Sequence, residues 1–413
     1  MRLGWLSFLG CMLAAAAVRF SPVHRAAGAV PADYRVLYLP LARNLVAGKG
    51  YVDAAGEFVT RVPPGYPFYV AACLSIGRIL GVSGDIMVAA ADVLCAGLVG
   101  WLLWLLGARL WDGQAAAIAA GAWALYPVSL WLYSAPSTEA PYMVFLMLEL
   151  ILVLRVVQLS KSSPWLAFAC GAVGGVGALI RPFAIGLPVL FAVWTAVILW
   201  RSGRSTAMAL ATLMLLGYAV SVAPWEAFAY ARTGRVIPLS TAGAPTMRDG
   251  LTFAVNPKAY RRGVNVPPGI LQVMADIRRA TTDRDTPGHI LGVVANEFGR
   301  QPLRVTGLIL LKVARSFYGT DSQRHEAAAF MIQVLCLVAL GASWMRARRT
   351  SVDARRAAEL TAVIVIYSLA MDVLGASIAR YIVPALLPGF LLLPALWLRR
   401  TRSTEGAGGD ARA

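Results

Sequence analysis

The chain has 413 residues, 58% of them hydrophobic and 14% charged, and a mean hydropathy of +0.65. Water-soluble domains are about half apolar and about a quarter charged, so this balance excludes a soluble globular protein and points to a polytopic integral membrane protein. The net charge of +17 does not indicate nucleic acid, because no basic stripe is interleaved with aromatics in a soluble module; it suits membrane lipids and cytoplasmic helix ends.

The first apolar segment, residues 4–20, has the length of a signal peptide, but no clean small-residue cleavage site follows it. It is read as a retained first helix. Next comes PADYRVLYLPLARNLVAGKGY (Pro31 to Tyr51), charged and half-amphipathic where a simple membrane protein would have a short polar turn. Asp33 precedes a face made of Leu37, Leu41 and Leu45, a natural N-cap position. Pro40 removes a backbone donor and crowds the carbonyl of Val36, so the helix either runs through it or begins there. GYPFYVAACLSIGRIL (Gly65 to Leu80) is apolar but short, follows Pro63-Pro64 and carries Arg78. Counting it as a span would put Arg2 and the later basic clusters on opposite sides. It is expected to lie in the membrane interface, making residues 21–85 one outer loop.

Further apolar segments run over about 86–107, 114–130, 138–158, 164–180, 183–200, 206–227, 326–344, 359–376 and 380–398, for about ten transmembrane helices in an all-α fold. Basic clusters (Arg201 with Arg204; Arg346, Arg348, Arg349, Arg355 and Arg356; Arg399, Arg400 and Arg402) mark the cytoplasmic side, and Arg155/Lys161 and Arg109 agree. Pro136–Glu139, Arg181, the stretch 229–325 and Ser377–Arg380 then fall on the outer face. Residues 229–325 carry turn signals at Gly243, Pro257 and Pro267-Pro268-Gly269, and a helical pattern from about Gly292 to Phe317 with Arg304, Lys312 and Arg315 among aliphatics. Residues 401–413 (TRSTEGAGGDARA) read as a disordered cytoplasmic tail. The five cysteines sit in apolar segments without metal spacing, and the three histidines are scattered.

Ionisable residues gather at the predicted outer face. Glu139 in YSAPSTEAPY stands at a helix entrance, where an acid also complements the helix dipole. Arg181 in ALIRPFAIGLP and Arg380-Tyr381 in ASIARYIVPALLP each place an arginine at a helix end. A charge at that depth is costly unless it snorkels or faces a partner or cavity. Asp92, Glu149 and Asp372 are intramembrane acids that could serve as structural partners of these arginines.

The order of these motifs (an acid and tyrosine before ARNLVAGKGY, then RVPPGYPFYVA, PSTEAPY, LIRPFAIGLP and ARYIVPALLP) resembles the bacterial GT-C membrane glycosyltransferases of the glycosyltransferase 39-like group. That group includes protein O-mannosyltransferases and lipid A aminoarabinose transferases, and the resemblance runs over about residues 1–400. It implies a polyprenyl-phosphate-linked sugar donor, a lipid, glycan or protein acceptor on the outer face of the cytoplasmic membrane, and one inverting displacement. It implies Asp33 as base and Glu139 as a second acid. Arg61, Arg181, Lys312 and Arg380 are the candidates for phosphate and pyranose contacts, with Tyr38, Tyr66 and Tyr381 shaping the pocket.

Family members usually place the acid four residues before the tyrosine of a Tyr-x-x-x-Ala pattern. Tyr38 and Ala42 fit that pattern, but the acid position is then Tyr34, and Asp33 lies one residue earlier. Either the segment shifts locally to bring Asp33 in, or Glu139 is the base, or activity has been lost. No ligand cluster demands a metal, although acids near a phosphate leave a divalent cation open. The competing function is a transporter or flippase for an anionic or lipid-linked solute; such folds tend to show internal repeats and midplane polar residues, and no repeat is visible here.

Overall fold

The computed structural model describes residues 1–21, 31–159, 164–256, 266–283, 286–320 and 325–398. The expected tail at 401–413, the turn signal at Pro257, and the side markers Lys161, Arg399, Arg400 and Arg402 lie outside the described residues. Among those described, every regular element is helical, apart from an isolated antiparallel bridge between Val52 and Phe58. Hydrocarbon favours this, because a helix satisfies its own backbone polar groups.

The chain begins with α1 (Arg2–Arg19), a π-helical turn (Tyr34–Tyr38), α2 (Leu39–Val46), α3 (Gly65–Leu80) and α4 (Gly84–Leu110). It continues with α5 (Gly113–Ala124), α6 (Pro127–Tyr133), α7 (Glu139–Leu159), α8 (Pro164–Ile180), a 3-10 turn (Pro182–Ala184), α9 (Leu187–Leu199) and α10 (Arg204–Thr233). The second polar segment holds α11 (Gly243–Leu251), α12 (Pro268–Ala280), α13 (Pro287–Arg300) and α14 (Pro302–Tyr318). Then come α15 (Glu326–Ala347), α16 (Val352–Leu374), α17 (Ala379–Phe390) and a 3-10 turn (Leu393–Leu396).

Among the described residues, seven helices are long and apolar enough to cross a membrane: α1, α4, α7, the stretch Pro182–Leu199, α10, α15 and α16. The number becomes eight if α5 and α6, bent by 65°, form one span. The stretches expected as spans at 164–180 and 380–398 are shorter elements. One is the 17-residue α8; the other is the 12-residue α17, which contains Pro384 and Pro388. The protein is thus an all-α, multi-pass membrane protein.

Local chemistry explains the junctions. Gly81 ends α3 in the left-handed conformation at φ 66°, and the Ser83 hydroxyl then caps α4 by accepting from Ile86 N. Asp112 caps α5 through bonds from Gln114 N and Ala115 N at 2.9 and 2.8 Å. Three expectations are corrected. The stretch 114–130 is not one straight helix, because Pro127 forces Tyr126 into an extended conformation. The helix expected over Gly292–Phe317 is two, broken at Gln301-Pro302. Gly243 and Pro268 open helices rather than sit within turns, Pro268 using its preset φ at a first helical position.

The α3 helix leaves Phe68, Ile76, Ile79 and Leu80 exposed while burying Tyr66, Val70 and Cys73. One of its apolar faces thus packs inward while the other stays open. The first polar segment packs on α10 and the start of the second, which also has a cluster of its own. Leu41, Tyr51 and Val62 pack with Trp225 and Leu239, whereas Val273, Met274, Ile277, Ile290, Val305 and Leu308 form a separate cluster.

Between membrane helices no water is left to expel, so close backbone approach replaces hydrophobic drive. The α8–α10 seam shows this. A Cβ on Gly171 would lie 1.7 Å from the Met214 carbonyl oxygen, and one on Gly217 would lie 2.0 Å from that of Phe168. Gly171→Val or Gly217→Val therefore forces the helices apart and should cost about 1–3 kcal/mol, read as a lower thermal midpoint in detergent. An unchanged midpoint would contradict this packing.

Candidate active site

Three helix ends converge on one carboxylate. Glu139 opens α7 and is 1% exposed. Arg181 follows the end of α8 in an extended conformation that Pro182 imposes. Tyr367 on α16 fastens the next turn by donating to the Phe183 carbonyl and accepting from Gly186 N, both at 2.9 Å. Arg380 lies in the first turn of α17, behind Ala379, whose N–H donates to the Gly319 carbonyl at 2.8 Å.

Glu139 Oε1 is 2.8 Å from Arg181 Nη1 and 3.2 Å from Arg380 Nε. Aromatic rings enclose the Arg181 guanidinium, with centroids at 5.7 Å (Tyr142), 5.4 Å (Phe183) and 5.1 Å (Tyr381). The Tyr381 ring also lies 5.1 Å from the Arg380 guanidinium. Asp372, 0% exposed with both carboxylate oxygens lacking hydrogen-bond partners, is within electrostatic reach of Arg181 and Lys312. Glu139 is thus the direct partner of two guanidiniums, and arginine cannot lose its proton there.

The first polar segment roofs this cluster. Tyr38 packs edge-on against Tyr66 at 4.8 Å, and Tyr66 stacks on Tyr69 at 5.7 Å. Burial, then the negative charges of Asp33 and Glu139, push the Tyr38 hydroxyl above its ordinary range. Tyr38 is therefore close enough to both acids to feel them. Asp33 itself is exposed and makes no side-chain cap hydrogen bond, so the expected N-cap role is not the one it plays.

The backbone beneath Asp33 is π-helical. Leu39 N donates to the Tyr34 carbonyl, five residues back. Pro40 explains the shift, since it has no N–H and its ring crowds the Val36 carbonyl. In a turn closed over five residues, positions five apart stack as positions four apart do in an α-helix. Asp33 and Tyr38 thus share a face despite their five-residue separation.

Lys312 and Arg61 stand apart from the ion cluster. Lys312 is 0% exposed, and its ammonium donates to the carbonyls of Gly250 at 2.6 Å and Gly375 at 2.9 Å. It joins α11 to the turn that leads into Arg380. Arg61 is exposed beside the second polar segment, its carbonyl accepting from Ser240 Oγ. Of the intramembrane acids, Asp92 pairs with Arg19 at 3.6 Å and accepts from Tyr69 at 3.0 Å. Tyr142, Phe183 and Tyr367 went unremarked in the sequence, although Tyr142 is three residues past Glu139 on the same helix face. Among the described residues, no group of three or more His, Cys, Asp or Glu could hold a metal ion.

Residues 61–225 match the family model of dolichyl-phosphate-mannose-protein mannosyltransferases, and this match supports the GT-C class of membrane glycosyltransferases. The matched segment covers α3 to α10 and includes Glu139 and Arg181. No curated protein matches the chain.

Burial pulls the Lys312 ammonium down from 10.5 to about 7. Between those values the unfolded chain holds the extra proton, so stability rises with pH across that window. The wild type should gain on Lys312→Met between pH about 7 and about 10, by on the order of a few kcal/mol, in chemical denaturation at fixed detergent. A constant difference across the window would refute the lowered pKa of Lys312.

Proposed function

We propose that the protein transfers a sugar from a polyprenyl-phosphate donor to an acceptor at the outer face of the cytoplasmic membrane, by a single inverting displacement. The observation that carries this reading is the buried carboxylate of Glu139 shared by Arg181 and Arg380. The guanidinium forks held in place by this carboxylate have a geometry suited to charge-assisted hydrogen bonds with a phosphate.

In this mechanism Asp33 accepts the proton of the acceptor hydroxyl. The hydroxyl oxygen attacks the anomeric carbon from the face opposite the phosphate. The bond from that carbon to the phosphate oxygen breaks, and its electron pair leaves with the polyprenyl phosphate. Arg181 and Arg380 stabilise the charge that develops there. A phosphate leaves without needing a proton, so one base suffices. Glu139, already shared by two guanidiniums, is assigned to aligning them rather than to proton transfer. Tyr38, Tyr66 and Tyr381 form the apolar and hydroxylated walls against the sugar.

Asp33→Asn should lower kcat by about 10²–10⁴-fold with donor affinity retained. Arg181→Ala and Arg380→Ala should weaken polyprenyl-phosphate binding more than acceptor binding. Full transfer by Asp33→Asn, combined with its loss in Glu139→Gln, would reassign the base to Glu139. Solute transport that survives Asp33→Asn, without any transfer activity, would favour a transporter.

A further inference from the structure

The seam between α9 and α10 opens into an apolar groove of about 590 Å³, within the range of ligand cavities. Ala192 and Ala211 are buried at its base, whereas Val193, Val197, Met208 and Leu215 stand exposed along its rim. Small side chains set between larger ones leave the furrow. From Ala192 to Trp200 it follows about 12 Å of helix, close to the roughly 15 Å depth of one leaflet's hydrocarbon.

One end of the groove is polar. Trp200 and Arg201 close it, in the turn where the N–H groups of Ser202 and Gly203 donate to the Leu199 carbonyl at 2.9 and 3.1 Å. The Arg204 guanidinium lies 5.3 Å from the Trp200 ring centroid. Tryptophan and arginine together are characteristic of the level of lipid headgroups. Neither arginine is balanced. Between Glu149 and Glu226 the chain carries no acid, and Glu226 is about 33 Å from Arg204 along α10. Among the described residues, neither arginine forms an ion pair.

We propose that this groove holds an acyl chain of an anionic phospholipid, with the headgroup phosphate on Arg201 and Arg204. Hydrocarbon contact selects little in a bilayer, because the chain leaves surroundings that are equally apolar. The headgroup therefore decides. A zwitterionic headgroup would bring its own cation beside two guanidiniums, with no carboxylate to receive it. The stretch Pro182–Leu199 is 18 residues long, about 27 Å, so this end lies about a hydrocarbon thickness from Arg181. The lipid thus sits in the leaflet opposite the Glu139 cluster, apart from the donor, and the proposal does not depend on the transfer reading. Basic residues mark this side as cytoplasmic in the sequence reading, and that leaflet is the anionic one.

The test uses purified full-length protein in neutral detergent, titrated with phosphatidylglycerol and with phosphatidylcholine of identical acyl chains. Native mass spectrometry reads the affinity of the first bound lipid. Phosphatidylglycerol should bind at least about tenfold more tightly. Arg201→Gln and Arg204→Gln should each weaken it about fivefold and leave phosphatidylcholine unchanged. That unchanged affinity also shows the variants to be folded. Thr212→Trp, which fills the groove and keeps both arginines, should weaken both lipids. Arg348→Gln, which removes a guanidinium stacked on Trp344 outside the groove, should affect neither.

Equal affinity for the two lipids would overturn the proposal, leaving only the ordinary lipid annulus. An equal loss in Arg348→Gln would assign the preference to general surface charge and overturn it as well. Glycerol 3-phosphate competing as effectively as phosphatidylglycerol would show an anion site without a groove, against the proposal. Disulfide trapping of Thr212→Cys between two copies in phosphatidylglycerol bilayers would put a second chain there in place of lipid.

Discussion

The carboxylate of Glu139 is the point on which the arrangement turns. It holds two guanidiniums that arrive from different helix ends, and each would be unstable alone at that depth. The pairing tells α7, α8 and α17 where to meet. It also holds two guanidinium forks side by side, a geometry suited to receiving an anion.

Proline controls the convergence. Pro182 ends α8 so that Arg181 turns inward, and Pro141 lies within the first turn of α7. Pro127 bends the α5–α6 pair, and Pro40 converts the ladder beneath Asp33 to a π turn. In each case a missing donor or a crowded carbonyl redirects the chain at a helix end. Charged side chains can sit at such ends because the backbone there already departs from the regular ladder.

Lys312, a candidate phosphate contact in the sequence reading, donates its ammonium to the carbonyls of Gly250 and Gly375. It ties the second polar segment to the turn before Arg380. Arg61, taken from sequence as part of the same group, faces a separate cavity. The four expected cations thus fall in three places: two arginines sharing Glu139, a staple and an exposed cation.

Sequence by itself determined the membrane class, the approximate positions of the apolar helices and the gathering of ionisable residues near their ends. Those features follow from hydropathy and from proline, glycine and capping chemistry, which act over a few residues. Even the one-residue displacement of Asp33 carried its cause nearby, in Pro40. Only the tertiary structure decided that Glu139 pairs with Arg181 and Arg380 rather than Asp92 or Asp372 doing so, and that Lys312 turns away from them. Those choices depend on which helix ends come together across long separations in the chain. Packing sets that, through glycine seams such as Gly171 against Met214, and no local pattern records it.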